Sequence, residues 1–210
     1  MSVLSILMKG GWLMWPIFLC SLILIVVVIE RLIFYRRYNL EDAKRVLKEV
    51  KAELATGRVD RAVDVTKIFV SPFATTVAEA LQAYSYGPYA VEKQFESLAQ
   101  REVQNLEKGL SVVSTIVGVA PMIGFLGTVT GMIAAFMRVE QLGGNVNASV
   151  LAGGIWEALV TTAAGLGVGI VAYILYNWLV SKVERIAGFF NQMANETLAI
   201  LPGGEKKDAG

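Results

Sequence analysis

Glu157, Thr161, Thr162 and Thr128 stand out because all four lie in runs otherwise built of small and apolar side chains. In "GGIWEALVTTAAGLGVGIV", residues 153–171, a lone carboxyl group is followed one helical turn later by a Thr pair. A carboxyl group takes up and releases protons, and hydroxyls orient water or pass a proton on. The chemistry on offer is therefore proton binding and relay. Rival chemistries lack their groups. His is absent, which removes imidazole as base or metal ligand, and the lone Cys20 forms neither an intramolecular disulfide nor a metal cluster. The serines have no base beside them, so no catalytic residue, metal site or cofactor is expected.

Such a carboxyl group needs a membrane around it to be unusual, and composition supplies one. The apolar class makes up 55% of the 210 residues and charged residues 18%, which calls for a search for spans before a soluble core. Lys+Arg number 19 against 18 Asp+Glu, so there is no basic field for nucleic acid. The first span is "WLMWPIFLCSLILIVVVI", Trp12 to Ile29. A cleaved signal peptide is the rival there. The preceding stretch has only Lys9 as a basic residue, however, and Glu30-Arg31 follows the run where a small-residue cleavage site would stand. The second span lies in the uncharged run Gly109 to Met137 and the third in Ala158 to Ser181 with the turns before it.

Basic residues orient these spans. Arg31, Arg36 and Arg37 follow the first, Arg101 and Lys108 precede the second, and Lys182 and Arg185 follow the third, whereas Arg138 is the single one between the last two. The positive-inside rule then puts the N-terminus outside and the C-terminus in the cytoplasm. The expected organisation is an outer N-terminus 1–11, a first span 12–30, a helical cytoplasmic domain 31–108 and a second span 109–137. An outer loop 138–152, a third span 153–180, a cytoplasmic helix 181–202 and a disordered tail 203–210 follow. "LEDAKRVLKEVKAEL" reads as a charged helix stopping near Gly57, and "SPFATTVAEALQAYSYG" as a capped one ending at Gly87-Pro88. From Tyr89 the stripe Val91, Phe95, Leu98, Val103, Leu106, Leu110 predicts one long helix running into the second span without a breaker. After the third span, Ile186, Phe189, Phe190 and Met193 extend the helix towards Pro202. The fold class is an all-α membrane protein whose second and third spans continue as long helices into a helical cytoplasmic domain.

At 100° per residue, Gly154, Glu157, Ala158, Thr161, Thr162, Ala164, Gly165, Gly169 and Ala172 share an arc of about 160°. Trp156, Leu159, Leu166, Ile170 and Ile174 lie opposite, with Val168 the exception inside the small arc. In the second span Ala120, Gly124, Gly127, Thr128, Gly131 and Ala135 share an arc. Gly127–Gly131 and Gly165–Gly169 are GxxxG pairs, which packing alone explains. Pro121 predicts a kink, and each Thr has the plain alternative of bonding the carbonyl one turn back. Glu157 cannot face lipid, where a carboxylate costs roughly 3 kcal/mol or more. It faces water or protein, or it forms a structural pair with Arg138. One carboxylate per chain does not complete a relay. Self-association, a partner supplying a second titrating group, or both are therefore expected.

"TIVGVAPMIGFLGTVTGMIAAF" (115–136) and "LAGGIWEALVTTAAGLGVGIVAYILYN" (151–177) resemble the MotA/TolQ/ExbB proton channel family. Three spans and modest length are similar to its ExbB/TolQ branch, with ExbB the nearer likeness and TolQ next. The resemblance implies an inner-membrane homopentamer whose second and third spans line a pore. That pore surrounds the membrane helix of an ExbD/TolR-like single-span partner, and proton entry drives a TonB- or TolA-like transducer. It matches Thr128 to the pore Thr of "LGTV", Glu157 to the Glu of "EAL" and Thr162 to the pore Thr five residues on. Thr161 stands where many members have Ala. The expected function is a proton-channel subunit energising TonB-type import across the outer membrane. The alternatives are a TolQ-like subunit of a cell-envelope system and a non-conducting scaffold.

Overall fold

The structure is a computed structural model and describes residues 10–141 and 148–202. Expectations for residues 1–9, 142–147 and 203–210 lie outside the described residues. These cover most of the outer N-terminus, the middle of the outer loop and the tail. Among the described residues, regular structure is helical with no strand. The elements are α1 (Met14–Tyr35), α2 (Leu40–Leu54), α3 (Val59–Thr66), α4 (Pro72–Gln82), a 3-10 turn (Ala83–Tyr86), α5 (Pro88–Glu107), α6 (Leu110–Gln141) and α7 (Ala148–Leu198). Three helical stretches, in α1, in α5–α6 and in α7, are long and apolar enough to cross a membrane. The chain is an all-α, multi-pass membrane protein. Its contacts fall into two units, Met1–Ile29 with Gly109–Leu179, and Glu30–Lys108 with Val180–Gly210.

The first unit is built on small side chains. The buried residues of α6 include Ala120, Gly124, Gly127, Gly131 and Ala135, and those of α7 include Gly154, Ala158, Thr161, Gly165 and Gly169. The two rows face each other so closely that a Cβ on Gly165 would stand 2.6 Å from the Ala120 carbonyl and 2.8 Å from Gly124 Cα. Without Cβ atoms the backbones meet directly, and dispersion between them replaces the hydrophobic drive that lipid cannot supply. The bulky residues point the other way. Phe125, Leu126, Ile133 and Phe136 of α6, with Trp156, Leu159, Ile170 and Ile174 of α7, are all exposed. Leu19, Leu22, Ile25, Val26 and Ile29 of α1 are exposed as well. Apolar surface on that scale requires lipid or protein against it.

The second unit has an aromatic core. Asn39 caps α2 by accepting from the Glu41 amide at 3.0 Å, and Ser71 caps α4 by accepting from the Ala74 amide at 3.3 Å, with Pro72 in its first turn. α2 buries Ala43, Val46, Leu47, Val50 and Leu54, the spacing of one helical face. α5 buries Val91, Phe95, Leu98 and Leu106, whereas Val103 of the expected stripe is half-buried. Phe73 and Phe190 stack at 4.6 Å between ring centroids, and Tyr38 meets both edge-on. The Tyr38 hydroxyl donates to Glu102 at 2.6 Å, and burial, followed by that bond, pushes the phenol above its ordinary range. Lys51 donates to Glu196 at 2.7 Å and, with Gln192, holds that carboxyl below its usual range. Ile186, Phe189, Phe190 and Met193 are buried, and α7 ends at Leu198, just short of Pro202.

The expected unbroken helix from Tyr89 is interrupted. Lys108 leaves the helical region (φ −53°, ψ 135°), and Gly109 has φ 82°, a conformation that residues with a Cβ resist. Leu106 and Leu110 are both buried one turn apart in sequence, so the apolar stripe passes over the break without registering it. The carbonyls that the break frees are taken up from α1. Arg31 donates to the Asn105 carbonyl at 3.1 Å and Tyr35 to the Leu106 carbonyl at 2.9 Å. Arg31 is itself buried, pairs with Glu30 and lies over the Phe34 ring, so its charge is held at the negative end of α5. Tyr35→Phe removes one of these bonds and leaves a buried acceptor bare, a loss of about 1–2 kcal/mol. Amide exchange in the last turn of α5 is expected to quicken by about tenfold. Exchange unchanged there would show that water satisfies the carbonyl instead.

Candidate functional site

The four polar residues separate into two groups on α6 and α7. Thr128 and Thr162 form the first, their hydroxyls hydrogen-bonded across the two helices. Thr162 also lies 2.9 Å from the Gly124 carbonyl and 3.1 Å from the Ala158 carbonyl. Its single hydrogen serves one of these acceptors at a time, and either hydroxyl can be the donor in the bond between Thr128 and Thr162. Gly124 permits this approach: a Cβ there would meet Thr162 Cα and the Thr161 carbonyl, each at 3.2 Å.

Thr161 belongs to the second group, turned away from the first. Its hydroxyl donates to the Gly10 carbonyl at 2.5 Å, with the Glu157 carbonyl at 2.9 Å as the alternative one turn back. Its methyl carbon fills the space left by Gly127. Glu157 lies on the same side, one turn earlier. Its Oε1 packs over Gly11, which has φ 71° and, lacking a Cβ, leaves room for the carboxyl. The plain alternative, a bond to the carbonyl one turn back, is thus present for Thr161 and Thr162 together with a bond to another segment.

Glu157 is half-buried. It borders a cavity of about 120 Å³ whose other walls include Gly10, Trp12, Thr130, Gly131 and Ala134. A water needs about 10–15 Å³ by this kind of measure and two or more polar partners, which the carboxyl, the Thr130 hydroxyl and the backbone at Gly10 offer. Among the described residues Glu157 has no salt bridge, and Arg138 is exposed, so a structural pair between them is not formed. The ring of Pro121 fits into the gap at Gly169, where a Cβ would stand 2.5 Å from Pro121 Cγ. Gly131 faces Ala158, and Gly154 faces Ala135.

Two residues that sequence reasoning passed over belong to this site, Gly10 and Gly11. The signal was available in the Gly pair of "MKGGWLMW", directly before the first apolar run.

A multi-pass all-α membrane protein thus carries a small-residue seam between two spans, hydroxyls hydrogen-bonded across it and, beside it, a carboxyl that makes no salt bridge among the described residues. A model of the MotA/TolQ/ExbB proton channel family matches residues 68–192, and the chain belongs to that family. The family is one of proton channels and not of enzymes. The chain is 30% identical over 194 residues to the putative biopolymer transport protein ExbB-like 1 of Synechocystis sp., covering 90% of this chain and 75% of that one. It is 27% identical over 183 residues to the putative biopolymer transport protein ExbB homolog of Methanothermobacter thermautotrophicus, covering 87% of this chain and 64% of the relative. Biopolymer transport protein exbB1 of Vibrio cholerae is 28% identical over 191 residues, covering 86% and 83%.

Proposed function

We propose that the chain is the channel-forming subunit of an inner-membrane motor that converts proton-motive force into mechanical work. One observation carries this: the single carboxyl group in the apolar stretches of α6 and α7 is half-buried beside a wettable cavity and makes no salt bridge among the described residues. A carboxyl group can both bind and release a proton, and one with water within reach inside an apolar stretch is placed to exchange protons. Glu157 is the exchanging acid, Thr128 and Thr162 the hydroxyl pair along the pathway, and Thr161 the residue that ties α7 to the segment before α1. Gly124, Gly127, Gly131, Gly165 and Gly169 hold the two helices close, and Pro121 keys into that seam. The N-terminus is periplasmic and the C-terminus cytoplasmic, a reading that the distribution of basic residues supports.

One acid per chain calls for a second titrating group. A homopentamer around an ExbD/TolR-like single-span partner supplies it, and the work passes to a TonB-type transducer for outer-membrane import. The relatives' names, biopolymer transport proteins of the ExbB kind, favour this over a TolQ-like role in the cell envelope. The test is flux. The chain, purified with its co-expressed single-span partner, is reconstituted in vesicles holding a pH-sensitive dye, and a potential is imposed. Partner-dependent acidification is expected. An assembled complex that stays silent under every imposed gradient would leave only the scaffold function.

A further inference from the structure

The proton that Glu157 gives up needs a first acceptor, and the hydroxyls singled out so far do not offer one. Thr128 and Thr162 bond to each other in the group turned away from the carboxyl. Thr161 is buried, lies outside the walls of the cavity of about 120 Å³ and holds its hydrogen on the Gly10 or Glu157 carbonyl. The cavity itself supplies another. α6 contributes Gly127, Thr130, Gly131 and Ala134 to it, spaced i, i+3, i+4 and i+7 along one helical face. Among its walls Thr130 carries the only hydroxyl, and Glu157 is the wall from α7. Gly10, Trp12 and Leu13 close the third side.

The hydroxyl of Thr130 has its one hydrogen engaged. It donates to the Leu126 carbonyl at 3.0 Å or the Gly127 carbonyl at 3.2 Å, so its oxygen is left as an acceptor. A water in the cavity that donates one hydrogen to this oxygen has its other hydrogen and a lone pair to turn to the carboxyl. It then donates to Glu157 when the acid is ionised and accepts from it when the acid is protonated. We propose that Thr130 is a positioning residue, which holds the water through which Glu157 exchanges its proton. In that step the carboxyl O–H bond breaks and its proton bonds to the water oxygen. A carboxylate remains, and the hydronium ion passes its extra proton to the next water. The assignment rests on Glu157 being the exchanging acid. It adds a residue of α6 to the site and sets the exchange within one chain, between α6, α7 and the segment before α1.

Infrared spectroscopy of the purified full chain tests the water site without any flux. The carbonyl stretch of protonated Glu157, identified by its loss in Glu157→Gln, is expected at the position of a hydrogen-bonded carboxyl. In Thr130→Val, which keeps the shape and removes the acceptor, the band moves to that of an unbonded carboxyl, and in Thr130→Ser it stays with the wild type. Partner-dependent flux in vesicles falls about tenfold in Thr130→Val, as expected when one hydrogen bond that places the water is lost, and mostly survives in Thr130→Ser. Thr130→Ala removes the same acceptor and serves if the valine variant does not fold. A band left unmoved by valine or alanine overturns the proposal, whatever the flux does, and leaves Thr130 with only its bond inside the helix. Equal loss in the serine variant also overturns it, because the side chain then acts through packing. A wild type that passes no protons, with the band shifting as expected, overturns the channel function and leaves the water site standing.

Discussion

Glu157→Gln is expected to reduce proton-driven activity to background while the chain still folds and assembles. The amide has nearly the volume of the carboxyl and fits over Gly11 in the same place, but it neither takes up nor releases a proton near neutral pH. What is lost is ionisation alone. Flux measured as above, together with the size of the purified complex, separates this from a structural effect. If Gln dismantles the complex, Glu157 is an interface residue and the proton function loses its acid. Gly11→Ala approaches the same site from the other side. Its φ of 71° costs about 1 kcal/mol once a Cβ is present, and that Cβ collides with Glu157 Oε1. The carboxyl must swing away, and flux is expected to fall although the acid itself is intact. Full flux in Gly11→Ala would mean that the position of the carboxyl over this segment does not matter.

The seam between α6 and α7 yields the second large effect. Gly165→Ala and Gly167→Ala add the same methyl to the same helix two residues apart, and opposite outcomes are expected. At Gly167 nothing lies within 4 Å, so alanine gains its helix propensity, about 0.5–1 kcal/mol. At Gly165 the new carbon meets the Ala120 carbonyl at 2.6 Å and Gly124 Cα and N at 2.8 and 3.0 Å. These are backbone atoms, and no rotamer moves them aside. The helices must part, which strains the 2.9 Å bond from Thr162 to the Gly124 carbonyl and costs about 1–3 kcal/mol or more by overpacking. Thermal unfolding of the solubilised protein, followed by near-UV dichroism, reads both. Equal midpoints for the two variants would mean that the close seam is absent.

Much of this could be read from residue order, and what escaped has identifiable causes. The small arc of α7 emerged from helical period alone, since Gly154, Ala158, Thr161, Gly165, Gly169 and Ala172 are buried and Trp156, Leu159, Leu166, Ile170 and Ile174 exposed. A wheel does not say how many neighbours share a wide arc. It put Thr161 and Thr162 together, whereas one turns to Gly10 and the other to Gly124. The break at Gly109 was hidden because the apolar period survives it. Its supports, Arg31 and Tyr35, stand more than seventy residues away in sequence from the carbonyls they satisfy. No local pattern records a bond of that span. The positions of Glu157, Thr128 and Thr162 were readable from residue type, because a polar group in an apolar run is conspicuous. Their surroundings depend on segments distant in the chain.

The bond between Thr128 and Thr162 has a direction, and that has a cost in time. Each hydroxyl owns one hydrogen, so the pair is a two-link wire with a head and a tail. On the proposed pathway a proton leaving Thr162 needs an acceptor other than a peptide carbonyl, so that hydroxyl must first turn out of its bond to Gly124 or Ala158. Each passage leaves both links reversed. A second hop in the same sense must wait until both hydroxyls have rotated back, against the carbonyls of Gly124 and Ala158 that hold one of them. Throughput along that route is therefore capped by the resetting of two side chains, however large the gradient that drives it.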